Sequence, residues 1–191
     1  LQKRIIKECN RLEKPVIVAT QMLTSMTEKP RVTRAEVSDV ANAVEDGADA
    51  VMLSEETAIG KYPVKTVKFM SEILEKMERY LSGNIPATSK NIKDNVADII
   101  ARSVWQAEKD INAKYIIAHT SSGFTARKIA RLKPCADILA FTDSESVIRQ
   151  LNLTWGVRPF RTEFARHADE MMCNTARFLY DEGFADMDDI L

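Results

Sequence analysis

The sequence predicts an α/β protein made of two successive modules, and three observations carry that prediction. Two short apolar runs rich in β-branched residues, Val16 to Ala19 and Ala50 to Leu53, are separated by an amphipathic helical pattern, as in a parallel βαβ unit. The same alternation returns beyond residue 92. Between the two modules, Leu81 to Lys90 is rich in Gly, Pro, Ser and Asn and lacks hydrophobic periodicity, which marks a linker and a boundary near residues 82–92. The composition of the 191 residues, 45% hydrophobic and 29% charged, is that of a globular chain. No apolar stretch approaches the about 20 residues that a membrane span needs, and the amphipathic opening lacks the apolar core of a signal peptide. A cytoplasmic protein with no membrane partner is expected. The net charge of -1, with both signs interspersed, gives no basic field for nucleic acid. Cys9, Cys135 and Cys173 are odd in number and widely spaced, which fits a reducing compartment and packing roles.

Each element follows from local chemistry. Lys3 to Leu12 has apolar residues at helical spacing, and Pro15 opens the first strand. Thr33-Arg34-Ala35-Glu36 is a capping box that starts a helix through about Val44, which Gly47 stops. Ala50 to Leu53 is the second strand. After a loop with Gly60, Pro63 suits the first turn of a helix with Val64, Val67, Phe69, Met70, Ile73, Leu74 and Met77 inward. In the second module a helix from about Asp94 to Lys109 precedes strand Tyr115 to Ala118, and a helix ends at Leu132. Strand Ile138 to Phe141, a helix around Ser144 to Leu151 and strand Val157 to Phe160 follow. A helix from about Ala168 to Tyr180 ends at Gly183, and Met187 to Leu191 reads as a strand that stops inside the element. Two strands cannot close a barrel, so the first module is expected to be part of something larger.

The residues just past the first two strands have chemical potential. Thr20 follows one, and Ser54 and Glu56 follow the other. Chemistry in α/β folds gathers at strand C-terminal ends. A hydroxyl near a carboxylate can form a proton chain through water, suited to protonating an enolate carbon. The same residue types also cap turns and helices. Arg31 and Arg34 flank the capping threonine, where they could hold phosphate, contact substrate, pair with carboxylates across a subunit interface or simply be solvated.

The order Ala19-Thr20-Gln21-Met22-Leu23, Thr33-Arg34-Ala35-Glu36, Asp39-Val40-Ala41-Asn42-Ala43-Val44 and Leu53-Ser54-Glu55-Glu56-Thr57-Ala58 closely resembles the pyruvate kinase family. The resemblance implies the last two βα units of a TIM (β/α)8 barrel over residues 1–81, a linker over 82–92, and an αβ three-layer C-terminal regulatory domain, truncated, over 93–191. It also implies phosphoryl transfer from phosphoenolpyruvate to ADP in glycolysis, with Mg²⁺ and K⁺. On the same ground Thr20, Ser54 and Glu56 correspond to catalytic-site residues, and Arg31 and Arg34 to the interface of a homotetramer. Glu55 stands where many members have glycine, so the loop after the second strand is expected to differ in detail. The family's catalytic lysine, acidic Mg²⁺ ligands and K⁺ ligands belong to earlier barrel segments. The 191 residues alone are therefore expected to be inactive and to hold no metal.

A second loop, His119 to Thr125, lies between a strand and a helix, with a run of hydroxyls and one glycine that suits a phosphate. It is neither a Walker A loop nor a Gly-x-Gly-x-x-Gly turn, and a simple capped turn is the alternative. In the resembling family this loop commonly holds the phosphate of an activator, a phosphorylated sugar or nucleotide. Thr120, Ser121, Ser122, Gly123 and Thr125 match its pattern. Lys128, Arg131 and Lys133 read as a solvated helix face, His119 and His167 lack partners at metal spacing, and Met171, Met172, Trp105 and Trp155 read as packing residues. A non-catalytic module of the same ancestry, sensing a phosphorylated metabolite through residues 120–125, is the alternative function.

Overall fold

The computed structural model describes residues 1–81, 95–164 and 167–191. The chain forms two compact units, Leu1–Lys90 and Asn91–Leu191. The linker expected at 82–92 lies outside the described residues.

In the first unit, helix α1 (Gln2–Arg11) leads to strand β1 (Ile17–Ala19), a 3-10 turn (Thr24–Thr27), helix α2 (Arg34–Glu45) and strand β2 (Ala50–Met52). A short helix α3 (Glu55–Ala58) and the long α4 (Pro63–Leu81) complete it. The strands pair in parallel, Ile17 with Ala50 and Ala19 with Met52. Thr33 caps α2 and Glu36 closes the reciprocal capping box, as the sequence pattern requires. Met22, Leu23, Met26, Val40, Ala43 and Met70 form the core, so the 3-10 turn, α2 and α4 pack on one side of the strand pair. The strands are not buried on both faces. Ile17 is 44% and Met52 40% exposed within this unit. Along α4 the covered stripe runs through Thr66 and Met70, whereas Val64 and Val67 point away from the core and are exposed, contrary to their expected inward placement.

The second unit contains α5 (Val96–Ile111), β3 (Tyr115–His119), α6 (Phe124–Ala130), β4 (Asp137–Thr142), α7 (Glu145–Leu151), β5 (Val157–Arg161) and α8 (Ala168–Asp181). Its strands form a parallel sheet in the order β3-β4-β5. Successive strand side chains point to opposite faces. Ile116, Ala118, Ile138, Ala140 and Val157 pack against residues of α5, α6 and α7. Tyr115, Ile117, Leu139, Phe141 and Phe160 gather on the other face with Phe178, Leu179 and Phe184. The result is three layers, with α8 and the Phe184–Ala185 segment after it covering this face. Phe141 stacks on Phe160 at 5.4 Å between centroids, and Phe178 meets both rings edge-on.

Several sequence expectations fail here for physical reasons. Met187 to Leu191 forms no strand; it is a turn tied back by the Lys114 amide donating to Ile190 and by the Lys114–Asp189 ion pair. Cys135 and Cys173 are exposed and not packed, and Met172, on the outer side of α8, is 65% exposed. Among the described residues no helix is long and apolar enough to cross a membrane.

Candidate active site

Thr20 sits one residue past β1 and Ser54 two residues past β2, at the same ends of two adjacent parallel strands. Thr20 and Gln21 both adopt left-handed backbone, with φ of 68° and 56°. Neither is glycine, and such a conformation costs about 1–2 kcal/mol per residue. The two residues reverse the chain so that the Leu23 amide donates to Glu56 Oε1 at 3.1 Å, while the Ser54 amide donates to Glu56 Oε2 at 2.8 Å. Glu56 is 0% exposed. Burial alone would push its carboxyl up, but amides of Ser54, Glu56 itself, Leu23 and Met22 outweigh that and hold it below the usual carboxylate range. Glu56 thus joins the loops after β1 and β2 as an enclosed carboxylate.

A second carboxylate does similar work from α2. Glu36 Oε1 accepts from the Ser25 amide at 2.6 Å, and Oε2 accepts from the Ser25 hydroxyl at 2.6 Å. The Thr33 amide and hydroxyl also donate to Oε2, each at 2.8 Å. Burial would raise the Glu36 carboxyl, but these bonds from Ser25 and Thr33 keep it below its ordinary value. Only the Thr33 half of this arrangement is local in sequence. Ser25 carries no motif that would announce it as the other half.

Thr20 is exposed and lines a cleft of about 630 Å³ with Val18, Ala19, Gln21, Asp39 and Asn42, among others. Ser54, half-buried, precedes α3 and does not line this cleft. Arg31 and Arg34 are exposed beside the start of α2, and among the described residues neither guanidinium forms an ion pair in this unit.

In the second unit, the loop after β3 presents Ser121, Ser122 and Thr125 to solvent, whereas Thr120 is buried with its amide donating to Phe141 O at 2.9 Å. Gly123 adopts φ 76°, and a Cβ there would lie 2.6 Å from Arg127 Nη1. Arg127 Nη2 donates to Ser122 O at 3.1 Å, which closes the turn. Lys128 and Lys133, expected on a solvated face, are buried. Lys128 Nζ donates to Asp98 Oδ1 at 2.7 Å, and Arg131 pairs with the same oxygen. Lys133 Nζ lies 4.5 Å from the Trp155 ring centroid. Lys128 and Arg131 thus hold α6 and the turn after it against α5 instead of facing solvent. Asp98 also completes the capping box of α5 with Asn95. His119 Nε2 lies 2.8 Å from Thr175 Oγ1 and its ring stacks on Phe141 at 5.5 Å; burial pushes its pKa down. Among the described residues no group of three or more His, Cys, Asp or Glu side chains is placed to hold a metal ion.

A family model described as pyruvate kinase, barrel domain, matches residues 1–67, and one described as pyruvate kinase, alpha/beta domain, matches residues 98–191. A pyruvate kinase of Lactobacillus delbrueckii subsp. bulgaricus is 44% identical over 195 residues, covering 100% of this chain and 33% of that protein. One of Clostridium acetobutylicum is 40% identical over 193 residues, covering 100% of this chain and 41% of that protein. A crystal structure of a pyruvate kinase from Cryptosporidium parvum superposes with TM-score 0.85 at 38% identity, over 98% of this chain and 39% of that one. A structure of Cryptosporidium parvum pyruvate kinase in complex with ADP gives TM-score 0.79 at 38% identity, covering 98% of this chain and 38% of that one. The chain thus spans between a third and about two-fifths of the length of these relatives.

Proposed function

The chain belongs to the pyruvate kinase family, and on that premise we propose that it works within an enzyme that moves the phosphoryl group of phosphoenolpyruvate to ADP in glycolysis. In this reading residues 1–81 are the end of the catalytic barrel, residues 93–191 are the regulatory domain, and the enzyme is a cytoplasmic homotetramer. The ADP complex of the Cryptosporidium relative supports the nucleotide substrate. Transfer breaks the bond between phosphorus and the enol oxygen and leaves the enolate of pyruvate; a proton must then reach its terminal carbon. The observation that carries the reading is Thr20, an exposed hydroxyl fixed in left-handed backbone at the end of β1 and lining a cleft. Its role is to bond a substrate oxygen or pass that proton. Ser54 follows the neighbouring strand and lies outside that cleft. Glu56, ionised and enclosed by amides, contributes by fixing both loops.

Mg²⁺ and K⁺ are expected for the complete enzyme, where they would supply electrostatic stabilisation of the transferring phosphoryl group. In this reading the Mg²⁺ and K⁺ ligands belong to earlier barrel segments of the enzyme and not to residues 1–191. The chain alone is proposed to be inactive. In the complete enzyme Thr20→Val should lower kcat about 10²-fold while the KM for phosphoenolpyruvate changes little. Steady-state kinetics checks this, and unchanged turnover would remove Thr20 from the chemistry.

The hydroxyl loop Thr120, Ser121, Ser122, Gly123 and Thr125 is proposed to hold the phosphate of an activator, a phosphorylated sugar or nucleotide. Three of its hydroxyl side chains, those of Ser121, Ser122 and Thr125, are exposed, which supports that role. Ser122→Asp adds a fixed anion, so activation by a sugar phosphate should be lost while unactivated turnover persists. Activation with the same midpoint would make the loop a simple turn. Arg31 and Arg34, exposed beside α2, are proposed to pair across the tetramer interface. Sedimentation of the Arg31→Ala, Arg34→Ala protein should then show smaller species, and an intact tetramer would count against the pairing.

A further inference from the structure

Thr20 and Gln21 are two consecutive non-glycine residues in left-handed backbone, and such a pair persists only where its surroundings over-determine it. Thr20 itself is exposed, and buried and half-buried anchors lie further along the loop. Two points hold the loop. Glu56 takes the Leu23 amide, and Glu36 takes both the amide and the hydroxyl of Ser25. Between them the Met26 amide donates to Leu23 O at 2.9 Å, so the two anchors belong to one rigid turn with Leu23 and Met26 fully buried beneath it. Glu36 adds what Glu56 does not: it ties this turn to the first turn of α2, because its Oε2 also accepts from the Thr33 amide and hydroxyl.

We infer that Glu36 is a positioning residue for Thr20, joining the loop that carries the hydroxyl to the N-terminus of α2. The inference rests on the reading of Thr20 as a proton-delivering group and goes beyond it by naming what holds that group. Both carboxylate oxygens face donors. An amide at this position has one acceptor oxygen, and its NH₂ would face an N–H or O–H of Ser25 or Thr33. Glu36→Gln therefore gives up the amide of either Ser25 or Thr33, which loosens the tie between the turn and α2, while Thr33 can still cap α2 through its own hydroxyl, which accepts from the residue 36 amide at 3.3 Å.

The test is a double-mutant cycle in the complete enzyme, with turnover of phosphoenolpyruvate and ADP as the readout. Glu36→Gln should lower kcat about tenfold with little change in the KM for phosphoenolpyruvate. Adding it to Thr20→Val should cause no further loss, because both losses run through one hydroxyl. Losses that multiply would place the effect of Glu36 elsewhere and overturn the inference. A slow Thr20→Val enzyme beside a Glu36→Gln enzyme of full kcat would overturn it while leaving the reading of Thr20 intact. If Thr20→Val keeps full turnover, that reading fails and the inference falls with it. Met70→Ala, a core truncation in the same unit, controls for stability. It should retain kcat at an equal loss of melting temperature, and an equal loss of kcat would reduce Glu36 to a structural role. Should Glu36→Gln not fold, Ser25→Ala, which removes one donor and leaves the capping box, should give a smaller loss of kcat in the same direction. Unchanged kcat there overturns the inference as well.

Discussion

Replacing Asp98 by Ala is expected to cost about 3–5 kcal/mol of stability in the second unit, the largest effect of any single substitution considered. Its side chain is 1% exposed, and one oxygen receives both Lys128 and Arg131, whose side chains are 6% and 7% exposed. Removing the carboxylate leaves those charges enclosed without it and also removes half of the α5 capping box. Urea unfolding followed by circular dichroism measures the change; a loss below about 1 kcal/mol, the scale of an exposed pair, would contradict it. The native protein should show the matching pH dependence. Burial would raise the Asp98 carboxyl, but Lys128, Arg131 and the Asn95 amide outweigh it, so its folded value lies below the ordinary 3.8. The contribution is therefore fully present above 3.8 and is lost as pH falls through the lower folded value. Asp98→Ala should flatten the stability curve in that acidic window.

Replacing Glu56 by Gln is the second large effect, and it appears in turnover as well as stability. Glu56 accepts backbone amides on both oxygens from two separate loops. An amide would turn a donor toward one of those N–H groups, and an unsatisfied buried donor costs about 1–3 kcal/mol. The loop after β1 would then relax from its left-handed turn, and a misplacement of about 1 Å can cost about 10²-fold in rate. We therefore expect Glu56→Gln in the complete enzyme to be destabilised by that amount and slowed about 10²-fold. Stopped-flow and steady-state kinetics would read this. A stable variant with full kcat would show that neither loop depends on the carboxylate.

What could be read from the sequence was local chemistry. The capping box at Thr33 and Glu36, the helix start at Pro63 and the strand pair around Val18 and Val51 all follow from short-range pattern. Family membership was also legible, because it depends on the order of short motifs. The anchors of the loop were not. Ser25 meets Glu36 across 11 residues and Leu23 meets Glu56 across 33, and neither pairing leaves a periodic trace. Nothing in Ala19-Thr20-Gln21 signals left-handed backbone, because tertiary anchors impose it and no glycine is present. Lys128 and Arg131 were misread as solvated for the same reason: their partner Asp98 lies 30 and 33 residues away. Helical periodicity also places Val64 and Val67 inward, but they are exposed, and α4 meets the core of the first unit through Met70 with Phe69, Ile73 and Leu74 packed beside it.

The most direct measurement of the central claim is pyruvate formation from phosphoenolpyruvate and ADP, with Mg²⁺ and K⁺ present. It would be run on the 191 residues alone and on the same residues within a complete barrel. The complete protein should form pyruvate and ATP in equal amounts, and the 191 residues alone should form neither. Turnover by the 191 residues alone, or no pyruvate from the complete protein, would contradict the assignment.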